Sequence, residues 1–366
     1  MKNMKRLAVL LIFILTVTSF TGCSKKEDSS KTTVTDEDNT VDTDKNNNNE
    51  KESDTSADTD KEAQKNDSEE LPDFIIEDTD TTITYINPMG NEQTVTKNPE
   101  KVVVLMNSIL DIWYLSGGEA IARVSGSTNV PEAAKDIEDV GKVNAPSVEK
   151  ILSLEPDLVI LSSGRSQHVE MEDILKDNNI EYAYVDVSTN PYDSFIDVLR
   201  IFTKITGRDD IYETEIKELE DNVTTICDKV KDEEKPNVVI LFGSSKYVKA
   251  QLPNGLVGNM VEMLGANNII TDAPVKNSST VDFSLEKILE EDPDVILVVP
   301  MGDLEKVKTR MKEDLESNDA WGTLTAVKEG NIHYLPPELF HYKPNARYPE
   351  AFEYLAKILY PQVFEK

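Results

Sequence analysis

The sequence predicts an α/β protein of two similar lobes with parallel-rich central sheets. Three observations carry that expectation. Ser147, Glu149, Lys150, Ile151, Leu152, Pro156 and Asp157 recur in register 137 residues further on, as Ser284, Glu286, Lys287, Ile288, Leu289, Pro293 and Asp294. The run Lys101-Val-Val-Val-Leu-Met-Asn-Ser108 is answered by Asn237-Val-Val-Ile-Leu-Phe-Gly-Ser244. Between the two halves, residues 193–230 lack any strand pattern and place apolar side chains at helical spacing.

Each copy of the first repeat predicts a short helix, a break and a strand. Val148, Ile151, Leu152 and Leu154 mark the helix face in one copy, and Leu285, Ile288 and Leu289 in the other. Pro156 and Pro293 end the helices and push the preceding residues towards extended geometry. Residues 158–161 and 295–299 are unbroken apolar runs, the pattern of strands buried on both faces.

In chain order, residues 1–23 form a processing segment. Lys2, Lys5 and Arg6 precede an apolar stretch over 7–20, too short for a comfortable membrane span. It ends in Phe20-Thr21-Gly22-Cys23, which resembles a bacterial lipoprotein signal with Cys23 as the lipidated residue; Phe20 stands where that pattern usually has Leu. Residues 24–73 are expected to be an acidic, disordered tether. From 24 to 70 there are 16 Asp or Glu against 7 Lys and almost no apolar side chains to offset the entropy of ordering.

An N-terminal lobe is expected over 74–192, a helical bridge over 193–235 and a C-terminal lobe over 236–366. Residues 82–86 and 92–96 alternate around Asn87-Pro88-Met89-Gly90-Asn91, a hairpin signal. Strands follow at 101–106 and 121–124, with a helix over 109–115 closed by Gly117-Gly118. A helix ending near 176 leads to a strand over 182–187. The bridge reads as one helix to about 206 and a second through 230, with Gly207 at the break; Cys227 lies on its apolar face as a buried, unreactive thiol. In the second half a helix covers 255–264, a turn enters a strand at 265–270, a helix covers 305–315, residues 327–335 are turn and strand, and a last helix covers 349–359.

The net charge of −31 is the opposite of a nucleic-acid binder's basic face. Two cysteines imply no disulfide framework. No Gly-x-Ser-x-Gly elbow, His-Glu-x-x-His helix or Walker-type glycine loop occurs, and three histidines leave little for general-base work. A surface-anchored enzyme is therefore the lesser alternative, and an adhesin has no use for the repeated Glu-bearing unit.

From about residue 98 to 364 the chain resembles the substrate-binding proteins of ABC importers for iron complexes, haem and cobalamin, the helical-backbone metal receptor group. The matching stretches are Asp139-Val140-Gly141, the two repeat units, Leu264-Gly-Ala-Asn-Asn-Ile269, the run Ala320-Trp321-Gly322 through Gly330, and Tyr342-Lys343-Pro344-Asn345-Ala346-Arg347. The resemblance implies two lobes joined by a long interdomain helix, with ligand held in the cleft between them. It implies an extracytoplasmic, lipid-anchored monomer without intrinsic cofactor, serving an ABC permease and its ATPase. Its cargo would be a metal chelate: a ferric siderophore, haem or, alternatively, a corrinoid such as cobalamin. It also implies docking on the permease through Glu149 and Glu286, one per lobe; a carboxylate in a helix's first turn is equally a partner for the helix dipole.

Residues after the strand ends would line the cleft. On one side these are Met106, Asn107, Ser108 and Ser163, with Arg165, and with Ser127 and Thr128 beside them. Across it would lie Ser244, Lys246, Tyr247, Met301, His341 and Tyr342, near Ser245, Pro300 and Phe340. Arg165 and Lys246 suit carboxylate or catecholate oxygens. Met106 and His341 are candidate axial ligands to haem iron, against the plainer readings of a packed strand-end residue and a cleft-wall histidine. His168 is a weaker candidate in a polar loop, and His333 is expected to be structural. Few arginines fall at cleft positions, which favours haem, a corrinoid or a neutral siderophore over an anionic one.

Overall fold

The computed structural model describes residues 72–271 and 278–364. Cys23, the signal and nearly all of the expected tether lie outside them. The first element is an antiparallel sheet of β1 (Ile75–Asp78), β2 (Thr82–Ile86) and β3 (Glu92–Thr96). The hairpin is where its turn residues put it. β1 is an addition: Ile-Ile-Glu-Asp does not alternate, and only its pairing with β2 makes it a strand.

The first lobe's sheet is parallel throughout. It contains β4 (Val102–Val104), β5 (Ala122–Arg123), β6 (Glu138–Asp139), then, after a small hairpin of β7 (Gly141–Lys142) and β8 (Ala145–Pro146), β9 (Leu158–Ser162) and β10 (Glu181–Val185). The order is β10-β9-β4-β5-β6. Val102 and Val104 face a core containing Tyr85, Trp113 and Phe202, while Val103 faces Ile151 and Leu175 on the other side. A strand covered on both faces needs no polar alternation, which is why the sequence run is all valine. Gly118 is required by packing: a Cβ there would sit 2.2 Å from the Trp113 ring.

The second sheet is mixed. β11 (Asn237–Gly243), β15 (Val295–Pro300) and β16 (Ile332–Tyr334) are parallel, and β13 (Asn267–Asn268) runs parallel to the start of β11. β12 (Val248–Gln251) and β14 (Thr280–Val281) are antiparallel and were not foreseen.

The repeat units fold alike, as helices Val148–Ser153 and Leu285–Glu291, each capped by its serine, followed by β9 and β15. The expected geometry before the prolines is corrected. Glu155 and Asp292 both adopt positive φ, at 48° and 40°, rather than extended backbone. For Asp292 a compensation is visible: its carboxylate accepts bonds of 2.7 Å from the amide and hydroxyl of Thr325. That cap starts a helix at Thr325–Glu329, where the sequence suggested a turn at Val327.

Helix Pro191–Thr206 ends at Gly207, whose φ of 65° suits a left-handed C-cap. The chain then reverses into a continuous helical run over 209–230, with a π-helical turn at Tyr212–Ile216. One end of Pro191–Thr206 meets the second lobe, where the Tyr192 amide donates to Asn259 Oδ1 at 3.1 Å. Its other end meets the first, where Thr206 Oγ1 donates to the Ser116 carbonyl at 2.6 Å. The run over 209–230 then returns to the second lobe and packs on helix Tyr348–Leu359. One apolar cluster runs from β4 through Phe195, Leu199 and Phe202 to Phe352 and the β11 face carrying Val238 and Ile240.

Candidate functional site

The carboxyl ends of parallel strands leave backbone groups and loops facing a crevice, which is where open α/β sheets hold ligands. In the first lobe β4, β9 and β10 end side by side, and a cavity of about 1020 Å³ opens against them. Met106 follows β4 in extended geometry and lines it. Ser162 ends β9 and Ser163, Gly164 and Arg165 follow it, while Val185 ends β10 and Asp186 follows it. The Ser188 hydroxyl donates to Asp186 Oδ2 at 2.5 Å and shapes the next loop.

Two further walls come from elsewhere. The N-terminal sheet contributes Phe74, Ile86, Pro88 and Met89; helix Pro191–Thr206 contributes Asp193, Ser194, Asp197, Val198 and Ile201. Ser279 reaches it from the second lobe's sequence. Arg165 makes no ion pair or hydrogen bond from its side chain among the described residues and is the cavity's only Lys or Arg. Burial pushes the Asp197 carboxyl up to about 6, against the opposing pull of Arg200.

The other expected first-lobe residues sit beside this cavity. Asn107 donates through Nδ2 to the Ser125 carbonyl at 3.3 Å, and its Oδ1 and the Ser108 hydroxyl have no hydrogen-bond partner among the described residues. Ser127 and Thr128 are exposed.

The second-lobe residues form a separate group after β11 and β15. The buried Ser244 hydroxyl accepts from the amides of Lys246 and Tyr247 at 3.2 and 3.1 Å, so it organises a turn. Lys246 and Tyr247 are exposed on that turn, and Met301 joins it through its amide bond to the Gly243 carbonyl at 2.8 Å. His341 packs between Phe242 and Tyr342, with ring centroids 5.5 and 4.7 Å away, and burial lowers its pKa. None of Ser244, Lys246, Tyr247, Met301, His341 or Tyr342 lines the cavity.

The two groups are tied by the segment after Tyr342. Asn129 Nδ2 donates to the Lys343 carbonyl at 2.8 Å, and the Lys343 ammonium donates to the Val187 carbonyl. Asn345 Nδ2 donates to the Ser108 carbonyl at 3.0 Å and to Asp111 Oδ2 at 2.7 Å. Burial lowers Lys343 to about 8, with Asp186 opposing.

His168 corrects the expectation of a polar-loop histidine. It is fully buried on helix Ser166–Val169. Its Nδ1 accepts from the Ser162 amide and its Nε2 faces the Val143 carbonyl, both at 3.0 Å, which requires the neutral ring protonated at Nε2. It therefore joins the end of β9 to the hairpin preceding the Glu149 helix. His333 lies in β16, and burial lowers its pKa. Cys227 is half-buried with its thiol pushed up to about 11. Glu149 and Glu286 are both exposed in the first turns of equivalent helices; Glu286 also accepts from the Ser284 hydroxyl at 2.9 Å. Among the described residues no three of His, Cys, Asp and Glu converge as a metal site.

Sequence reasoning missed Asp186, Asp193, Asp197 and the apolar wall from the N-terminal sheet. It quoted Lys343 and Asn345 as part of a motif without giving them a place between the lobes.

The periplasmic binding protein family model matches residues 102–339. The chain is similar to the high-affinity heme uptake system protein IsdE of Staphylococcus aureus, 26% identical over 220 residues, which are 59% of this chain and 72% of that one. Its fold is similar to an ABC transporter substrate-binding protein from Listeria monocytogenes (TM-score 0.61, 24% identity, 72% of this chain and 100% of that one). It is also similar to the periplasmic vitamin B12 binding protein BtuF of Vibrio cholerae (TM-score 0.58, 18% identity, 73% and 99%).

Proposed function

The chain belongs to the periplasmic binding protein family, and we propose that it is an extracytoplasmic lipoprotein that captures an iron chelate, siderophore or haem, and delivers it to an ABC permease with its ATPase. Binding, rather than turnover, is the family's work. The observation that carries the chelate reading is the cavity of about 1020 Å³ at the ends of β4, β9 and β10, a volume at the upper end of small-molecule sites. The likeness to IsdE, whose name states heme uptake, supports haem, and the likeness to a vitamin B12 binding protein supports a corrinoid as the second reading.

In this proposal Cys23 carries the lipid, residues 24–73 are the tether, and Glu149 and Glu286 face the transporter. Met106 and Arg165 meet the chelate from the first lobe, with Ser163 and the neighbouring Asn107 and Ser108. Ser244, Lys246, Tyr247, Met301, His341 and Tyr342 close over it from the second. For haem, Met106 and His341 would be the axial pair, and Arg165 and Lys246 would pair with the propionates.

The test is to titrate the full-length protein in detergent with haem, cobalamin and ferric siderophores, following absorption and tryptophan fluorescence. Saturable binding of one class is expected. Failure to bind any of them, together with hydrolysis of an ester or peptide, would overturn the proposal. If haem binds, Met106→Ala and His341→Ala should each shift the Soret band; unchanged spectra in both remove them as ligands.

A further inference from the structure

The bridge helix is not the lobes' only connection. The segment over 341–347 is anchored at both ends in the second lobe and its bridge. His341 packs against Phe242 of β11, and helix Tyr348–Leu359 packs on the run over 209–230. Between these anchors the chain reaches the first lobe at three places. The Lys343 ammonium donates to the Val187 carbonyl, and the Lys343 carbonyl accepts from Asn129 Nδ2. Asn345 spends both hydrogens of one amide on helix Asn107–Leu115, at the Ser108 carbonyl and Asp111 Oδ2. The sequence suits a short, stiff link. Pro344 has its φ locked by its ring, here at −72°, and Asn345 holds a left-handed φ of 48° that asparagine tolerates better than most residues.

The groups that receive the segment belong to the framework of the cavity. Val187 directly follows Asp186, and Ser108 comes two residues after Met106; Asp186 and Met106 both line the cavity. Beside the segment the packing is open. A hollow of about 200 Å³ lies against Ala346 and Pro349, with Leu115 of the first lobe and Leu219 of the bridge among its other walls, and it leaves the segment room to shift. Two bodies joined by one element can turn about it; a second attachment spread over three segments opposes that turn until it is undone.

We propose that residues 343–345 are an interlobe strap that sets the aperture of the empty cleft, and that the lobes part only when Lys343 and Asn345 let go of the first lobe. Because the same bonds hold Val187 and Ser108, the aperture and the cavity wall change together. The strap serves the capture and release read above, but it is a property of the empty protein, so its failure leaves that reading standing.

The experiment measures the distance between the lobes by double electron–electron resonance on the full-length protein in detergent, without chelate. Spin labels go on encoded unnatural residues at the exposed Gln167 and Lys306, which leaves Cys23 and Cys227 untouched. The wild type should give one narrow distribution. Lys343→Met keeps the methylenes and removes the ammonium; Asn129→Gly removes the amide donor and accepts the φ of 53° at that position. Each should move the distribution to longer distance and broaden it, and adding Asn345→Ala to both should move it furthest. Met311→Ala, in a separate core cluster of the second lobe, loosens the fold without touching these bonds and should leave the distance alone. An unchanged distribution in Lys343→Met or in Asn129→Gly shows that the strap does not set the aperture and overturns it. An equal shift in Met311→Ala overturns it too, because general loosening would then account for the change.

Discussion

Asn345 Nδ2 donates to Asp111 Oδ2 at 2.7 Å, joining residues 234 positions apart in sequence. Asn345 is 1% exposed, and its φ of 48° is one that asparagine tolerates better than most residues. Burial raises the Asp111 pKa, and the Asn345 amide pulls it back. Asn345→Ala should cost about 1–3 kcal/mol in urea unfolding at pH 7, because a buried acceptor loses its donor. Asn345→Asp should cost more, by setting two carboxylates together, and the excess should shrink towards about pH 4, where carboxylates take up protons.

Lys343 gives a prediction of the opposite sign on the alkaline side. Its folded pKa, about 8, lies below the unfolded value near 10.4. Between these limits the unfolded chain holds a proton that the folded one has released, so stability from this group rises with pH through that window and is lost as pH falls through about 8. Unfolding titrations of the wild type against Lys343→Met should show the wild type gaining relative to the variant from pH 8 upward. Parallel curves would mean that Lys343 keeps an ordinary pKa.

His168 acts on the acid side. Burial first, and then Arg165, lower its pKa, while the bond to the Val143 carbonyl raises it. Its stability contribution is present above the unfolded value of about 6.5 and is lost as pH falls through the folded one. Protonation at Nδ1 also sets a donor against the Ser162 amide. His168→Gln should flatten the loss of stability below about pH 6.5, and amide exchange at Ser162 should accelerate in acid for the wild type.

The two equivalent glutamates predict a separation of transport from binding. Glu149→Ala with Glu286→Ala should abolish uptake of the chelate by whole cells while the purified protein keeps its affinity. Reduced affinity would place those helices at the cleft instead. Each single variant should retain part of the uptake, since the other lobe would still offer its contact.

What could be read from sequence was whatever a local pattern carries. The valine run of β4, the serine-capped repeat helices and the apolar period of residues 195–226 each follow from near-neighbour spacing. What could not be read depends on a partner far along the chain. Ile75–Asp78 is a strand only beside β2. Asp197 reads as the polar flank of an amphipathic helix, and becomes part of a cavity lining only together with residues as far away in sequence as Phe74 and Met89. Lys343 looks like an ordinary surface lysine until Val187, 156 residues earlier, receives it. A proline's effect on the preceding residue is local, yet at Asp292 a left-handed backbone accompanies a carboxylate that accepts from the amide and hydroxyl of the distant Thr325.

The N-terminal sheet has one more relationship with the first lobe. β10 is the last strand of its sheet, and such a margin presents unpaired amides and carbonyls on which another chain can assemble. Here the Gln93 side chain occupies it: Nε2 donates to the Tyr182 carbonyl at 2.9 Å, and Oε1 accepts from the Tyr184 amide at 3.0 Å. Tyr85 Oη donates to the Tyr184 carbonyl at 3.1 Å. A single primary amide thus imitates one peptide of a sixth strand and then stops. If many copies are crowded on one membrane, as a lipid anchor would arrange, this margin offers no template for stacking one sheet onto the next.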